Sequence, residues 1–130
     1  MRTNIKGDIG ELSIMREFLK LDYWCSKPFG DDCPYDLIVD NKNGELKKVQ
    51  IKYVTPNKER TLRVPFFSNT GVDYRKTIDW IAVYDSESEK CYLIQLDKFN
   101  SDVKTVYLRL DKPKNNQMNG ITFAENYELK

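Results

Sequence analysis

Histidine is absent from this chain of 130 residues, so neither an imidazole base nor an imidazole metal ligand is available. Any acid–base chemistry falls to carboxylates, lysines or tyrosines. Cysteine is scarce and odd in number: Cys25, Cys33 and Cys91 fit neither paired Cys-x-x-Cys zinc ligands nor a dense disulfide framework. All three read as reduced, partly buried thiols. No glycine-rich phosphate loop occurs, which removes the P-loop nucleotide chemistries. No apolar run reaches membrane length and Met1 to Lys6 carry no apolar signal core, which leads to the expectation of a soluble, cytoplasmic protein with no membrane partner.

Charge of one sign is lacking too. The net charge of +1 does not by itself announce a binder of polyanions. It hides a gradient, however. Between Lys42 and Arg63 basic residues dominate over Glu45 and Glu59, whereas between Asp85 and Asp102 acidic residues dominate over Lys90 and Lys98. Such asymmetry lets one face meet phosphates, although charge runs are commonly just solvated surface.

What is present fits one globular domain over residues 1–130, with 40% apolar content including eight tyrosines, six phenylalanines and two tryptophans. From Ile5 to Leu21, Ile9, Leu12, Met15 or Arg16, and Leu19 recur at helical spacing, with Ile14 and Phe18 widening the stripe. A short extended piece, Tyr23 to Cys25, precedes a loop of turn formers from Ser26 to Pro34. Strands are expected at Tyr35 to Asp40, Leu46 to Val54, Thr61 to Phe67 ending near Pro65, Thr77 to Tyr84, Cys91 to Leu96, and Thr105 to Leu110. Ser68 to Lys76 reads as a polar loop or short helix, and Asp111 to Gly120 as a polar, mobile segment. Ile121 to Leu129 returns with apolar residues that cover something. The order of elements indicates an α/β or α+β fold.

The chemistry concentrates in one hairpin. Strict alternation puts Leu37, Val39, Val49 and Ile51 on a core face and Asp36, Lys48, Gln50 and Lys52 on the other. A two-residue Asn43-Gly44 turn would mix these faces, so an odd-numbered loop or a bulge near Gly44 is expected. Leu37 would then face Ile51, and Asp36 would face Lys52. A carboxylate, an amide oxygen and an ammonium on neighbouring strands suit phosphodiester hydrolysis, which needs an activated water and relief of phosphate charge. A hard divalent cation on oxygen ligands supplies both. Asp36 is the principal candidate ligand, joined by the Gln50 side-chain oxygen, the Ile51 main-chain carbonyl and Glu11 from the helix, with Lys52 to hold the water. Each residue also has a bland reading, since aspartate at a strand start, lysine on a strand's outer face and an exposed helical glutamate are common.

Glu11, Pro34-Tyr35-Asp36 and Gln50-Ile51-Lys52 resemble the PD-(D/E)XK nuclease superfamily, in particular its small archaeal Holliday junction resolvases and group I intron homing endonucleases. Gly7-Asp8-Ile9-Gly10-Glu11, Tyr35-Asp36-Leu37-Ile38, the segment Ile78 to Tyr84 and Ala124-Glu125-Asn126-Tyr127 resemble the homing branch. The resemblance implies a restriction-endonuclease-like core, in which an N-terminal helix is followed by a mixed β-sheet flanked by helices. It implies that Asp36 and Gln50 bind Mg2+, with Mn2+ as a substitute, that Lys52 assists the water and that Glu11 completes the site. Two departures stand out: Tyr35 is inserted between proline and aspartate, and Gln50 replaces an acidic ligand, which leaves the site one charge less negative.

The resemblance further implies DNA as partner and a homo-oligomer, dimer or tetramer, because one site cuts one strand. Candidate backbone contacts are Lys27, Lys47, Lys48, Lys58, Arg60, Arg63, Arg75 and Lys76. Tyr53, Tyr74 and Trp80 fit core positions better than base stacking. The leading expectation is a Mg2+-dependent, sequence-specific homing-type DNA endonuclease. A Holliday junction resolvase and a catalytically idle DNA-binding module are the alternatives.

Overall fold

The apolar spacing at the N-terminus does form a helix, α1, Thr3–Lys20, but its buried stripe is not the one that apolar spacing selects. In the computed structural model, which describes residues 1–112 and 120–130, Gly10, Ile14 and Phe18 face inward. Leu12 and Leu19, expected in the core, are 68% and 56% exposed. The helix lies close to the sheet at Gly10. A Cβ there would lie 3.6 Å from Tyr53 Cβ and 3.7 Å from Ile51 Cγ2, so the position has room for a methyl and for nothing larger. A count of apolar side chains gives glycine no weight. Phe18 then anchors the lower half, edge-on to Tyr23 at 5.2 Å and stacked on Trp80 at 6.2 Å.

Under α1 lies a mixed sheet in the order β1-β2-β3-β5-β6, built from β1 (Trp24–Ser26), β2 (Leu37–Asp40), β3 (Leu46–Val54), β5 (Trp80–Asp85) and β6 (Cys91–Gln95). Only β3 and β5 in this sheet run parallel, with Val49 opposite Trp80 and Lys52 opposite Val83. That pairing requires a crossover, and the crossover carries β4 (Thr61–Pro65). Strand β4 pairs antiparallel with β7 (Thr105–Arg109). Leu62, Val64, Val106 and Leu108 alternate inward and pack with Ile81, Val83, Tyr92 and Ile94 of the main sheet. The second face is thus covered by a two-stranded sheet and not by the expected helices. Period-two alternation in both segments gives each one apolar face, which fits a strand.

The hairpin of β2 and β3 joins through Asn41 to Glu45, an odd-numbered connection as expected. Gly44 takes φ +91°, and the Asn41 side chain accepts the N–H groups of Asn43 and Glu45. The register differs from expectation by two residues: Leu37 lies opposite Val49, not Ile51. An even shift preserves the faces, so Leu37, Val39 and Val49 are fully buried towards α1. It moves Asp36 away from Lys52 and level with Gln50. Strand β5 begins at Trp80, later than expected, because the chain from Tyr74–Lys76 is still turning: Ile78 N–H donates to Tyr74 at 2.8 Å. Asp79 then docks this turn on β3, its carboxylate accepting Lys48 N–H at 2.8 Å and its own N–H donating to Lys48 C=O at 2.9 Å.

The last stretch does provide cover: Phe123, Ala124 and Leu129 are buried, and Leu129 N–H donates to Cys91 C=O at 2.8 Å. Cys25, Cys33 and Cys91 are free, the last buried with its thiol pushed up to about 12 by desolvation. Of the expected mobile segment Asp111 to Gly120, residues 113–119 lie outside the described residues. No helix among the described residues is long and apolar enough to cross a membrane.

Gly10 gives a two-sided test of the helix docking. Gly10→Ala should raise the unfolding free energy by up to about 1 kcal/mol, since a methyl meets only ordinary van der Waals contacts and helix propensity improves. Gly10→Leu should lower it by about 1–3 kcal/mol through overpacking against β3. Urea unfolding followed by circular dichroism reads both.

Candidate active site

Below Leu37 the two central strands of the hairpin part company. The N–H of Asp36 donates to Val49 C=O at 2.9 Å, and the Asp36 carboxylate swings over β3, where Oδ2 accepts the N–H of Ile51 at 2.8 Å. A side chain so replaces the backbone acceptor that β2 no longer supplies. In an extended strand the N–H and C=O of one residue point to the same edge, so the Ile51 carbonyl faces this edge as well. Burial pushes the Asp36 carboxyl above the usual carboxylate range; the Ile51 N–H lowers it, the Glu11 charge raises it further, and Lys52 and Lys27 lower it.

Glu11 reaches the same place from α1 because it follows Gly10, the residue that seats the helix on Ile51 and Tyr53. Its Oε1 forms an ion pair with Lys27 Nζ from the β1–β2 loop, and this holds Lys27 more firmly protonated. Glu11, Lys27, Pro28, Gly30, Asp31, Cys33, Tyr35 and Asp36 line a polar cleft of about 250 Å³. The loop that closes it also carries Phe29, an aromatic ring wholly in solvent.

Lys52 and Gln50 are half-buried on the face of β3 away from α1. Neither lines the cleft. Lys52 Nζ donates to the buried Tyr74 hydroxyl at 2.6 Å and sits 4.9 Å from that ring's centroid. Tyr74 is thus a core residue with a polar handle on Lys52, a role that its spacing in the sequence does not signal. Asp36, Ile51, Lys52 and Glu11 are brought together, with Gln50 level with Asp36 by register. The Pro34 position is exposed and takes no part in lining the cleft.

The candidate phosphate contacts divide. Arg75 is used inside the fold: its guanidinium donates to Val103 C=O at 2.6 Å and Asn100 C=O at 3.0 Å, pairs with Asp73 and covers the Phe66 ring at 4.8 Å. Arg60, held at φ +59°, pairs with Glu87 at 2.9 Å and Asp111 at 3.5 Å. Arg75 is thus tied into the fold, whereas the Arg60 pairs lie in solvent and are worth little in energy. Lys47 is half-buried and 3.9 Å from Glu45. Lys48, Lys58, Arg63 and Lys76 remain exposed, with Lys48 Nζ 5.9 Å from the Tyr35 ring beside the cleft. Tyr53 and Trp80 pack with Tyr84 and Phe18 respectively, as core aromatics.

Among the described residues no three side chains of the types His, Cys, Asp or Glu gather into one metal-binding group. The oxygens at hand are two carboxylates, one side-chain amide and one main-chain carbonyl. That hard, all-oxygen set suits Mg2+ or Mn2+ and no softer ion. The desolvated Asp36 carboxylate, opposed by Glu11, has the electrostatics of a group that needs a cation.

A model of the PD-(D/E)XK endonuclease family matches residues 1–130. Among solved structures the chain is similar to a bacterial homing endonuclease, I-Ssp6803I, with a TM-score of 0.70 and 26% identity, covering 98% of this chain and 86% of that one. No curated protein matches significantly.

The raised Asp36 pKa has a signed consequence for stability. Its charged form is penalised in the fold, so the cost is absent below the unfolded-state pKa and fully present above the folded-state pKa. Without divalent cations, Asp36→Asn should therefore melt at a higher temperature than the native chain at pH 7. The gap should close as pH falls through the carboxylate range. Added Mg2+ should raise the melting temperature of the native chain and leave that of the variant unchanged.

Proposed function

The chain belongs to the PD-(D/E)XK endonuclease family and is a nuclease, and from that premise we propose that it is a Mg2+-dependent endonuclease cutting double-stranded DNA at a specific sequence, as a homing-type enzyme. The observation that carries this reading is the Asp36 carboxylate laid over the Ile51 N–H with Glu11 beside it and Lys52 one residue on. One similar protein of known structure is a homing endonuclease, which favours this branch over a junction resolvase.

Asp36, Glu11, the Gln50 amide oxygen and the Ile51 carbonyl are the groups that would hold the cation. Bound there, it supplies Lewis acidity, which acidifies the attacking water and offsets phosphate charge. The remaining work falls to this chain's side chains. Lys52 spends one of its three N–H donors on Tyr74, which fixes the ammonium and leaves two donors for the water and a phosphoryl oxygen. Lys27 at the lip of the cleft, paired with Glu11, would be available as a phosphate contact with that carboxylate on the cation. Gln50 leaves the site one negative charge short, so the cation is held less tightly than by an acidic residue. The exposed Lys48, Lys58, Arg63 and Lys76 are the candidate contacts to the DNA backbone. Because each subunit presents one site, a double-strand break takes two copies, as a dimer or within a tetramer.

The test is cleavage of a genomic DNA library and of a synthetic four-way junction, with and without Mg2+. The native chain should cut the library at few positions, in Mg2+ only. Asp36→Ala and Lys52→Ala should each lose at least about 100-fold in rate, while Gln50→Glu should lower the Mg2+ concentration needed for half-maximal rate. Preferential cutting of the junction would reassign the protein as a resolvase. Equal activity of the two alanine variants, or no cleavage of either substrate, would defeat the catalytic assignment and leave a DNA-binding module.

A further inference from the structure

The two-stranded sheet of β4 and β7 spends its inner face on the core, where Leu62, Val64, Val106 and Leu108 are buried. Alternation therefore puts Thr61, Arg63, Pro65, Thr105, Tyr107 and Arg109 on the outer face. Arg63 lies directly opposite Tyr107, and Thr61 opposite Arg109. Arg63 is exposed, and Tyr107 keeps 50% of its surface in solvent. The chain carries 20 acidic residues against 21 basic ones, yet no acidic residue stands on this face. Two guanidinium groups, a phenol and two hydroxyls give it positive charge and a dense set of hydrogen-bond donors. Past the Thr61 end, Glu59 stands in the turn and Glu87 and Asp111 are paired with Arg60. At the other end Lys104 is exposed.

A short chain of hydrogen bonds ties this ribbon to Lys52. Lys52 Nζ donates to the Tyr74 hydroxyl at 2.6 Å, Tyr74 N–H donates to Phe66 C=O at 2.9 Å, and Phe66 N–H donates to Lys104 C=O at 2.9 Å. Phe66 directly follows β4 and Lys104 directly precedes β7, so one end of each strand is held relative to Lys52. The ribbon and Lys52 also share one side of the main sheet, because Val83, opposite Lys52 in register, belongs to the core that Leu62 and Val64 close.

We infer that the outer face of this ribbon enters the major groove of the DNA and reads base edges there, with Arg63 and Tyr107 at its centre. The inference rests on the nuclease reading for its partner, and it moves Arg63 from a backbone contact to a base contact. The shapes agree: the groove is about 12 Å wide and admits a two-stranded ribbon, while the two strands lie about 5 Å apart and five residues span about 17 Å. The Arg63 guanidinium is a fork of donors that matches guanine O6 and N7, and the Tyr107 ring offers an apolar face to a thymine methyl. The link through Phe66 and Tyr74 then sets a fixed spacing between the bases that are read and the phosphate that Lys52 meets.

Binding is measured without divalent cation, so its failure is separate from a failure of the nuclease reading, which cleavage decides. The full chain is used to select from a pool of DNA duplexes with a random central sequence. The native chain should enrich a consensus, and methylation of guanine N7, an atom of the major groove, should block binding at one or more consensus guanines. Arg63→Lys keeps the charge and loses the fork. Its ratio of affinity for the consensus duplex to affinity for the random pool should fall at least about tenfold, with the N7 block lost at the guanine that Arg63 reads. Tyr107→Ala should lower the same ratio by about threefold or more and relax the consensus at a thymine. Both positions are on the surface, and an unchanged melting temperature shows that the fold is kept. A consensus and a ratio that stay native in both variants overturn the inference, as does methylation interference confined to adenine N3, an atom of the minor groove. A native chain that enriches no consensus overturns it as well, and if that chain still cuts DNA in Mg2+ the nuclease reading stands without it.

Discussion

The close approach of α1 to β3 at Gly10 is the constraint on which the rest of this molecule turns. The helix rests there against Ile51 and Tyr53 with room for no more than a methyl, and this contact limits how it can turn about its own axis. Ile14 and Phe18, one and two turns on, fall into the core. Glu11, the next residue, is delivered to the edge where Asp36 lies. The same rotation turns Ile5, Leu12 and Leu19 outward. The orientation of one helix thus couples core packing, the carboxylate pair and the apolar outer face.

The Asp36 cleft is an electrostatically costly part of the fold. A carboxylate that loses solvent beside a second carboxylate is destabilising, and the hydrogen bond from Ile51 offsets only part of that cost. The remaining compensation comes from two cations on flexible stems. Lys27 on Glu11 is solvent-exposed and worth little in energy. Lys52 is held differently. Its bond to a buried tyrosine hydroxyl is neutral at the acceptor end, so it positions the ammonium without quenching its charge.

How much of this could be read from the residues alone follows from which interactions are local. Strand β3 was expected over its observed span, and the odd connection at Gly44 followed from requiring Asp36, Gln50 and Lys52 to share a face. Alternation is a local property and survives any even shift, so the faces came out correctly while the register moved by two. The helix was legible as an element, but its orientation depended on a glycine, whose contribution is an absence. The helices expected over the second face were replaced by β4 and β7, two strands far apart in sequence whose pairing no local pattern announces. Tyr74 and Lys27 were likewise hidden, because their partners are Lys52 and Glu11, distant in sequence. Arg60 and Arg75 looked like phosphate contacts because charge is visible in a sequence and its neutralisation by Glu87, Asp111 or buried carbonyls is not.

The use of Arg75 inside the fold bears on how the chain would hold DNA. A subunit with a net charge of +1 would make few phosphate contacts, and non-specific affinity scales with the number of such contacts. Pairing two chains on one duplex doubles that number and makes the second engagement intramolecular, so affinity rises far more than twofold when the sites are spaced to suit the DNA. Weak binding by one subunit would favour paired engagement of a long, two-part target over scattered phosphates. A broad basic face would instead bind any bent or branched DNA. The low charge and the sequence-specific reading therefore support one another through the same electrostatic argument.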